Sequence, residues 1–123
     1  MKHSHVSFAA GLTLSILAKG IARAADWPQW RGPQRNGISS ESGWNAKLAG
    51  VRPVWSAQLG EGFSAAAVAA GKLYTLGNSG NQDTVWCLNA LTGKQVWKYS
   101  YPCSGGDYAG PRCTPTIDAD RVY

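Results

Sequence analysis

The stretch most suggestive of chemistry is "TVWCLNALTGKQVW", residues 84–97, where Thr92, Gly93 and Lys94 stand between two apolar runs. A glycine followed by a lysine is half of a phosphate-binding loop, in which backbone N–H groups cradle the phosphates and the lysine reaches over them. Such a loop needs a glycine five residues before Gly93 and a Ser or Thr after Lys94, but Leu88 and Gln95 occupy those places. It also has to open into a helix whose N-terminus holds the anion, whereas here the residues after it read as a strand. The spacing instead predicts a β-hairpin. Asn89 caps the turn with its side chain, Gly93 takes a positive φ, and Trp97 lies on the returning strand.

The remaining reactive residues are few. Both histidines, His3 and His5, lie at the extreme N-terminus, ahead of an apolar run. Once that segment is removed, the chain has no histidine to act as a general base or metal ligand. The first of three cysteines, Cys87, falls mid-strand and reads as a buried small hydrophobe. Cys103 and Cys113 flank "SGGDYAGPR"; they either close a loop disulfide or remain two thiols, since sequence does not give their separation. A three-cysteine metal site would need closely spaced ligand pairs, and there are none. Cysteines of this kind fit an oxidising compartment.

Lys2, His3 and His5 precede a mostly apolar stretch from Val6 to Leu17, followed by Ala22-Arg23-Ala24. A basic start, a short apolar run and small residues at −3 and −1 are the layout of a secretory signal peptide, residues 1–24. The run is too short to span a bilayer, so no transmembrane segment is expected after cleavage. No cysteine stands at the cleavage point, so no lipid anchor is expected. Nine of the twelve Lys and Arg and all seven acids lie beyond Ala24, which lowers the formal net charge from +5 to +2. That exported part shows no basic patch or stripe, so nucleic acid is not an expected partner.

Residues 25–52 read as an extended arm with turns, whose tryptophans are expected to lie on a neighbouring surface. From residue 53 the pattern becomes short strands, expected at 54–59, 64–69, 72–77, 84–89, 95–101 and 114–118, with another from 121. "SAAAVAA" at 64–70 has the composition of a helix. An internal repeat decides against it. "VWSAQL" (54–59) matches "VWKYSY" (96–101), and "AAAVAAGKLY" (65–74) matches "TPTIDADRVY" (114–123). In the second copy Pro115 and the β-branched Thr116 and Ile117 replace Ala66, Ala67 and Val68, which favours an extended backbone. A period in the forties with four strands per unit is that of a β-propeller blade. Val85 and Cys87 face one way and Trp86 and Leu88 the other, as a blade packed on both sides requires.

"CLNALTGKQVW" resembles the Ala-x-Asp-x-x-Thr-Gly-Lys-x-x-Trp repeat of pyrroloquinoline quinone (PQQ) type β-propellers. Cys87 replaces the Ala and Asn89 the Asp, while Thr92, Gly93, Lys94 and Trp97 match. "DWPQWRGPQRNGIS" (26–39) and "YAGPRCTPTIDADRVY" (108–123) are similar to stretches of bacterial exported members described as PQQ-binding-like or outer-membrane-assembly-like propellers. The resemblance implies an all-β propeller of four-stranded blades in which Trp97 docks, buried, against a neighbouring blade. The expected layout is a ring-closing strand at 54–59, a blade at 64–101 and the next blade from 114. That is about one and a half blades, an N-terminal fragment of a ring.

PQQ dehydrogenases of the family hold the quinone between a tryptophan and a disulfide of adjacent cysteines, with calcium bound by Glu, Asn and Asp. This chain has no adjacent cysteines, and Glu41 and Glu61 are its only glutamates. No catalytic, cofactor or metal residue carries over. The expectation is therefore a periplasmic or secreted scaffold that binds a protein, an envelope component or a ligand and needs no cofactor. The alternative implied by the same resemblance is a PQQ- and calcium-dependent alcohol or sugar dehydrogenase whose site lies beyond residue 123.

Overall fold

A computed structural model describes residues 24–43, 47, 49–104, 108 and 110–123, and these are all-β, with no helix among them. The expected signal peptide, with both histidines, falls outside the described residues except for Ala24. Four strands, β1 (Ala67–Ala69), β2 (Lys72–Ser79), β3 (Gln82–Asn89) and β4 (Gln95–Pro102), form one antiparallel sheet in sequence order. A second sheet is a hairpin of β5 (Ile117–Asp118) and β6 (Arg121–Val122).

Side-chain alternation puts two different surfaces on the four-stranded sheet. Tyr74, Cys87 and Trp97 are cross-strand partners on one face, as are Leu76, Val85 and Tyr99. On the other face Leu73 pairs with Leu88, and Trp86 stands between Thr75 and Lys98, whose ammonium lies 5.1 Å from the indole. The first face receives the β5–β6 hairpin and Pro115. The second is crossed by residues 55–60, held there by the Trp86 Nε1–H donating to the Leu59 carbonyl at 3.1 Å. Cys87, Leu88 and Pro115 are the largest fully buried side chains, so the core lies between β2 and β3 and extends toward the second hairpin.

The alanine-rich stretch is extended, but as a strand it covers only Ala67–Ala69 of the expected 64–69. The reason is local. Continuing the register of Ala67 with Tyr74 would bring Phe63 opposite Asn78; Glu61 takes that place instead. Between them the Ser64 hydroxyl, not a backbone carbonyl, accepts from the Leu76 N–H at 3.2 Å. Residues 54–59, expected as a ring-closing strand whose partner belongs to another blade, lie in no ladder within this chain. They run over the sheet face and are tethered through the Trp55 and Trp86 indoles. The strand expected at 114–118 is confined to its last two residues, although Thr116 and Tyr123 exchange both backbone hydrogen bonds at 2.9 Å and lengthen the hairpin.

The two copies of the repeat adopt the same hairpin. Val68 pairs with Leu73 and Ala69 with Lys72; the matching residues Ile117 with Val122 and Asp118 with Arg121 pair likewise. Each turn begins on an alanine at positive φ, Ala70 at 49° and Ala119 at 51°. Non-glycine residues rarely adopt this conformation, so its recurrence at matched positions is strong evidence that the copies are structurally equivalent.

The arm joins these equivalent strands. Trp27 exchanges two backbone bonds with Val68, at 2.7 and 2.9 Å, and the Pro28 carbonyl accepts from Ile117, the counterpart of Val68, at 2.8 Å. The Asp26 carboxylate accepts from the Ala70 N–H at 3.1 and 3.2 Å, satisfying the donor of the strained turn residue. The Trp27 ring lies over Gly32 of the arm itself, while its backbone joins β1. Trp30 is 64% exposed.

Candidate functional site

The residues 89–94 make a closed hairpin turn. The Asn89 Oδ1 accepts from the Leu91 N–H (3.1 Å), the Thr92 N–H (3.0 Å) and the Thr92 hydroxyl (3.1 Å). Gly93 donates to the Asn89 carbonyl at 2.9 Å with φ 68°, and Asn89 donates to the Lys94 carbonyl at 2.8 Å. The turn's donors are turned inward onto Asn89, so they do not form an anion cradle. Lys94 is exposed at the end of the turn.

This turn is the seat for an aromatic ring. Trp55 lies flat against Gly93, where a Cβ would come within 2.6 Å of the indole, and its Nε1–H donates to the Ala90 carbonyl at 3.1 Å. Thr92 and Lys94 flank the glycine, and Asn89 fixes the curvature that exposes it. Trp97, the repeat counterpart of Trp55, is on the opposite face of the sheet. It packs on Tyr74 with ring centroids 6.0 Å apart and is 37% exposed. The expected burial of Trp97 is not found in this chain: it stands on the edge strand β4 and is covered from one side only.

A cleft of about 360 Å³ opens beside it, between the four-stranded sheet and the second hairpin, lined by Leu76, Val85, Tyr99, Tyr101, Pro115 and Tyr123 among others. At its end lies the one described acidic residue that is buried, Asp83, 5% exposed. The Asn78 Nδ2 donates to its carboxylate at 2.7 Å and to the Cys103 carbonyl at 3.1 Å. The Tyr101 phenol and the Cys103 thiol stand near this carboxylate, and the Cys103 Sγ–H donates to the Ser104 carbonyl at 3.8 Å.

These contacts set the acidities. Burial, then the charge of Asp83 and the proximity of Cys113 and Cys103, pushes the Tyr101 phenol up. The nearby Asp83 carboxylate, as an acceptor toward the thiol and then, after burial, as a negative charge, pushes the Cys103 thiol up. A thiol is a nucleophile only as thiolate, so Cys103 is held in its inert form. Burial likewise raises Cys87, against a hydrogen bond from Tyr74 and the charge of Lys72. Cys103 and Cys113 both lie beside Tyr101 and are thiols in the structure, not a disulfide. Among the described residues no three His, Cys, Asp or Glu come together as a metal site.

The carboxylate thus accepts from the Asn78 amide, and that amide fixes the β2–β3 turn to the start of the connection after β4. Sequence reasoning did not single out Asp83, but the alternation that turns Val85 and Cys87 inward also turns Asp83 inward. A charged residue on the buried phase of a strand was the available signal. The close passage of residues 59–62 past Gly77 and Gly110 had none, because it depends on contacts distant in sequence.

Comparison with known proteins found no matching family model, no matching curated protein and no matching solved structure. Among the described residues no helix is long and apolar enough to cross a membrane.

Proposed function

We propose that this chain opens an exported PQQ-like β-propeller that serves as a binding scaffold for a protein, an envelope component or a ligand in the cell envelope. The observation that carries the reading is the seating of a repeated tryptophan on the hairpin turn of the following sheet. Trp55 sits on the Gly93 hairpin of the next unit, the two copies share one hairpin register, and the arm bonds the same position in both. Units joined by their own repeated residues suit an assembly of similar sheets, and a propeller closes with about 4–8 of them.

A scaffold fits better than an enzyme because the polar groups at the unit boundary are spent on one another. Asp83 accepts from Asn78, and the thiols of Cys87 and Cys103 are pushed up from their ordinary acidity. Fold alone does not give function, so the test is direct. The purified exported protein is titrated with PQQ in the presence of calcium and assayed for dye-linked alcohol oxidation. The scaffold reading expects neither saturable binding nor turnover. A saturable shift in the quinone absorbance would overturn it in favour of a dehydrogenase.

A further inference from the structure

We propose that, when the signal segment is cut between Ala24 and Ala25, the α-ammonium created on Ala25 becomes the charged partner of Glu41. The inference rests on the exported reading and adds to it a position and a contact. Ala22 and Ala24 supply the small residues at −3 and −1 that an exported-protein endopeptidase accepts. The structure adds a contact on the C-terminal side of that bond. The Ala25 nitrogen donates to the Glu41 Oε1 at 2.6 Å, sixteen residues away along the arm. The next residues are already committed: Asp26 to Ala70, Trp27 to Val68, Pro28 to Ile117. A cut before Ala25 keeps every bond of the arm, whereas a cut after Asp26 would remove the carboxylate that satisfies Ala70.

Hydrolysis adds one water across the amide. Its hydroxyl goes to the Ala24 carbonyl carbon, which becomes a carboxylate, and the leaving Ala25 nitrogen takes protons to become –NH₃⁺. No oxidant or reductant is needed. Before the cut Glu41 faces a neutral amide N–H; afterwards it faces a cation in the same place, and a charge-assisted hydrogen bond is stronger than a neutral one. The nearby carboxylate of Asp26 is turned to Ala70, and the Arg31 guanidinium donates to the Asn36 carbonyl, so Glu41 is the acid in contact with the new terminus. Maturation would thereby tighten the arm that joins the two repeats.

The experiment uses the protein secreted by a bacterial host. Intact mass and N-terminal sequencing are expected to give a chain starting at Ala25. Retention of residues 1–24 would overturn both this inference and the exported reading, while a start elsewhere would overturn the inference alone. Amide hydrogen exchange at Trp27 and Val68 is then compared for Glu41→Gln in the processed protein and in an uncleaved Ala24→Leu protein. Exchange is expected to quicken about 1.5- to 5-fold on Glu41→Gln in the processed form, the range for an exposed ion pair, and by less in the uncleaved form. Equal effects in both would overturn the ammonium contact and leave the processing site standing.

Discussion

The indole of Trp55 rests on the α-carbon of Gly93, thirty-eight residues away, and its N–H is taken up by the Ala90 carbonyl in the same turn at 3.1 Å. Glycine is required twice over at this position. Its φ of 68° is the left-handed region, and a Cβ there would stand 2.6 Å from the ring. The hairpin reading of Thr92-Gly93-Lys94 thus acquires a purpose: the turn is shaped to be covered by a tryptophan.

Gly93→Ala is accordingly expected to destabilise by about 2–3 kcal/mol through combined backbone strain and overlap with the ring. Gly71→Ala is the control. Its φ of 73° is similar but nothing lies within 4 Å, so only the left-handed penalty of about 1–2 kcal/mol applies. Urea titrations of both variants, repeated with Trp55→Ala, separate the terms. The excess at Gly93 should vanish when the indole is gone; an excess that persists would mean that the ring is not the obstacle.

Trp86 fastens the opposite side of the crossing segment through its bond to the Leu59 carbonyl. Trp86→Phe keeps most of the apolar bulk and loses the donor, at an expected cost of about 1 kcal/mol. Exchange at the Glu61 amide, which bonds Asn78 at 2.8 Å, should rise with it. Unchanged exchange there would show that the segment is held by other means.

How much of this was legible in the sequence depends on whether the determining partner was near. The hairpin at 89–94 was readable because Asn89, Thr92 and Gly93 satisfy one another within a few residues. The repeat at 65–74 and 114–123 was readable because two copies vote on one conformation, and that vote outweighed the helical composition of the alanines. The strand expected at 54–59 has no partner in this chain, and for the converse reason. Its alternation matches 96–101, but a strand exists only where another pairs with it, and in this chain the segment is held by two indoles and has no ladder. The strand at 64–69 was shortened by a single hydroxyl, that of Ser64, replacing a carbonyl opposite Leu76. The buried node at Asp83 brings Asn78 on β2 together with the end of β4 around Tyr101 and Cys103, two stretches distant in sequence, so spacing alone could not show it.

Alkaline pH should loosen the fold. Burial holds the Tyr74 and Tyr101 phenols above the ordinary 10.0 and the Cys87 thiol above 9.0. In the unfolded chain these groups lose their protons first, so unfolding is favoured as pH rises past those ordinary values. The contribution is complete below about pH 9 and is lost as pH climbs through the raised folded values. Urea midpoints measured from pH 7 to 11 should fall beyond pH 9, and Cys87→Ala with Tyr74→Phe should flatten the part due to that pair. A midpoint that does not fall would contradict the placement of these groups in the core.

Asp26→Ala leaves the N–H of Ala70 without its carboxylate at a turn that already carries a positive φ. A loss of about 1 kcal/mol is expected, in line with removal of a capping side chain. Faster exchange at Ala70 and Val68 should accompany it, with Gly93 unaffected. A uniform change over the whole chain would instead point to global rather than local loosening.

The sharpest measurement concerns Trp97. If the chain opens a propeller, Trp97 in the intact exported protein should cover the glycine of a following hairpin as Trp55 covers Gly93. The 37% of it that is exposed in this chain would then be closed. A denaturant titration of Trp97→Ala in that intact protein is predicted to show a loss of about 3–5 kcal/mol, the cost of deleting a docked tryptophan. A loss below about 1 kcal/mol, the scale of an ordinary surface substitution, would contradict the repeat-docked assembly.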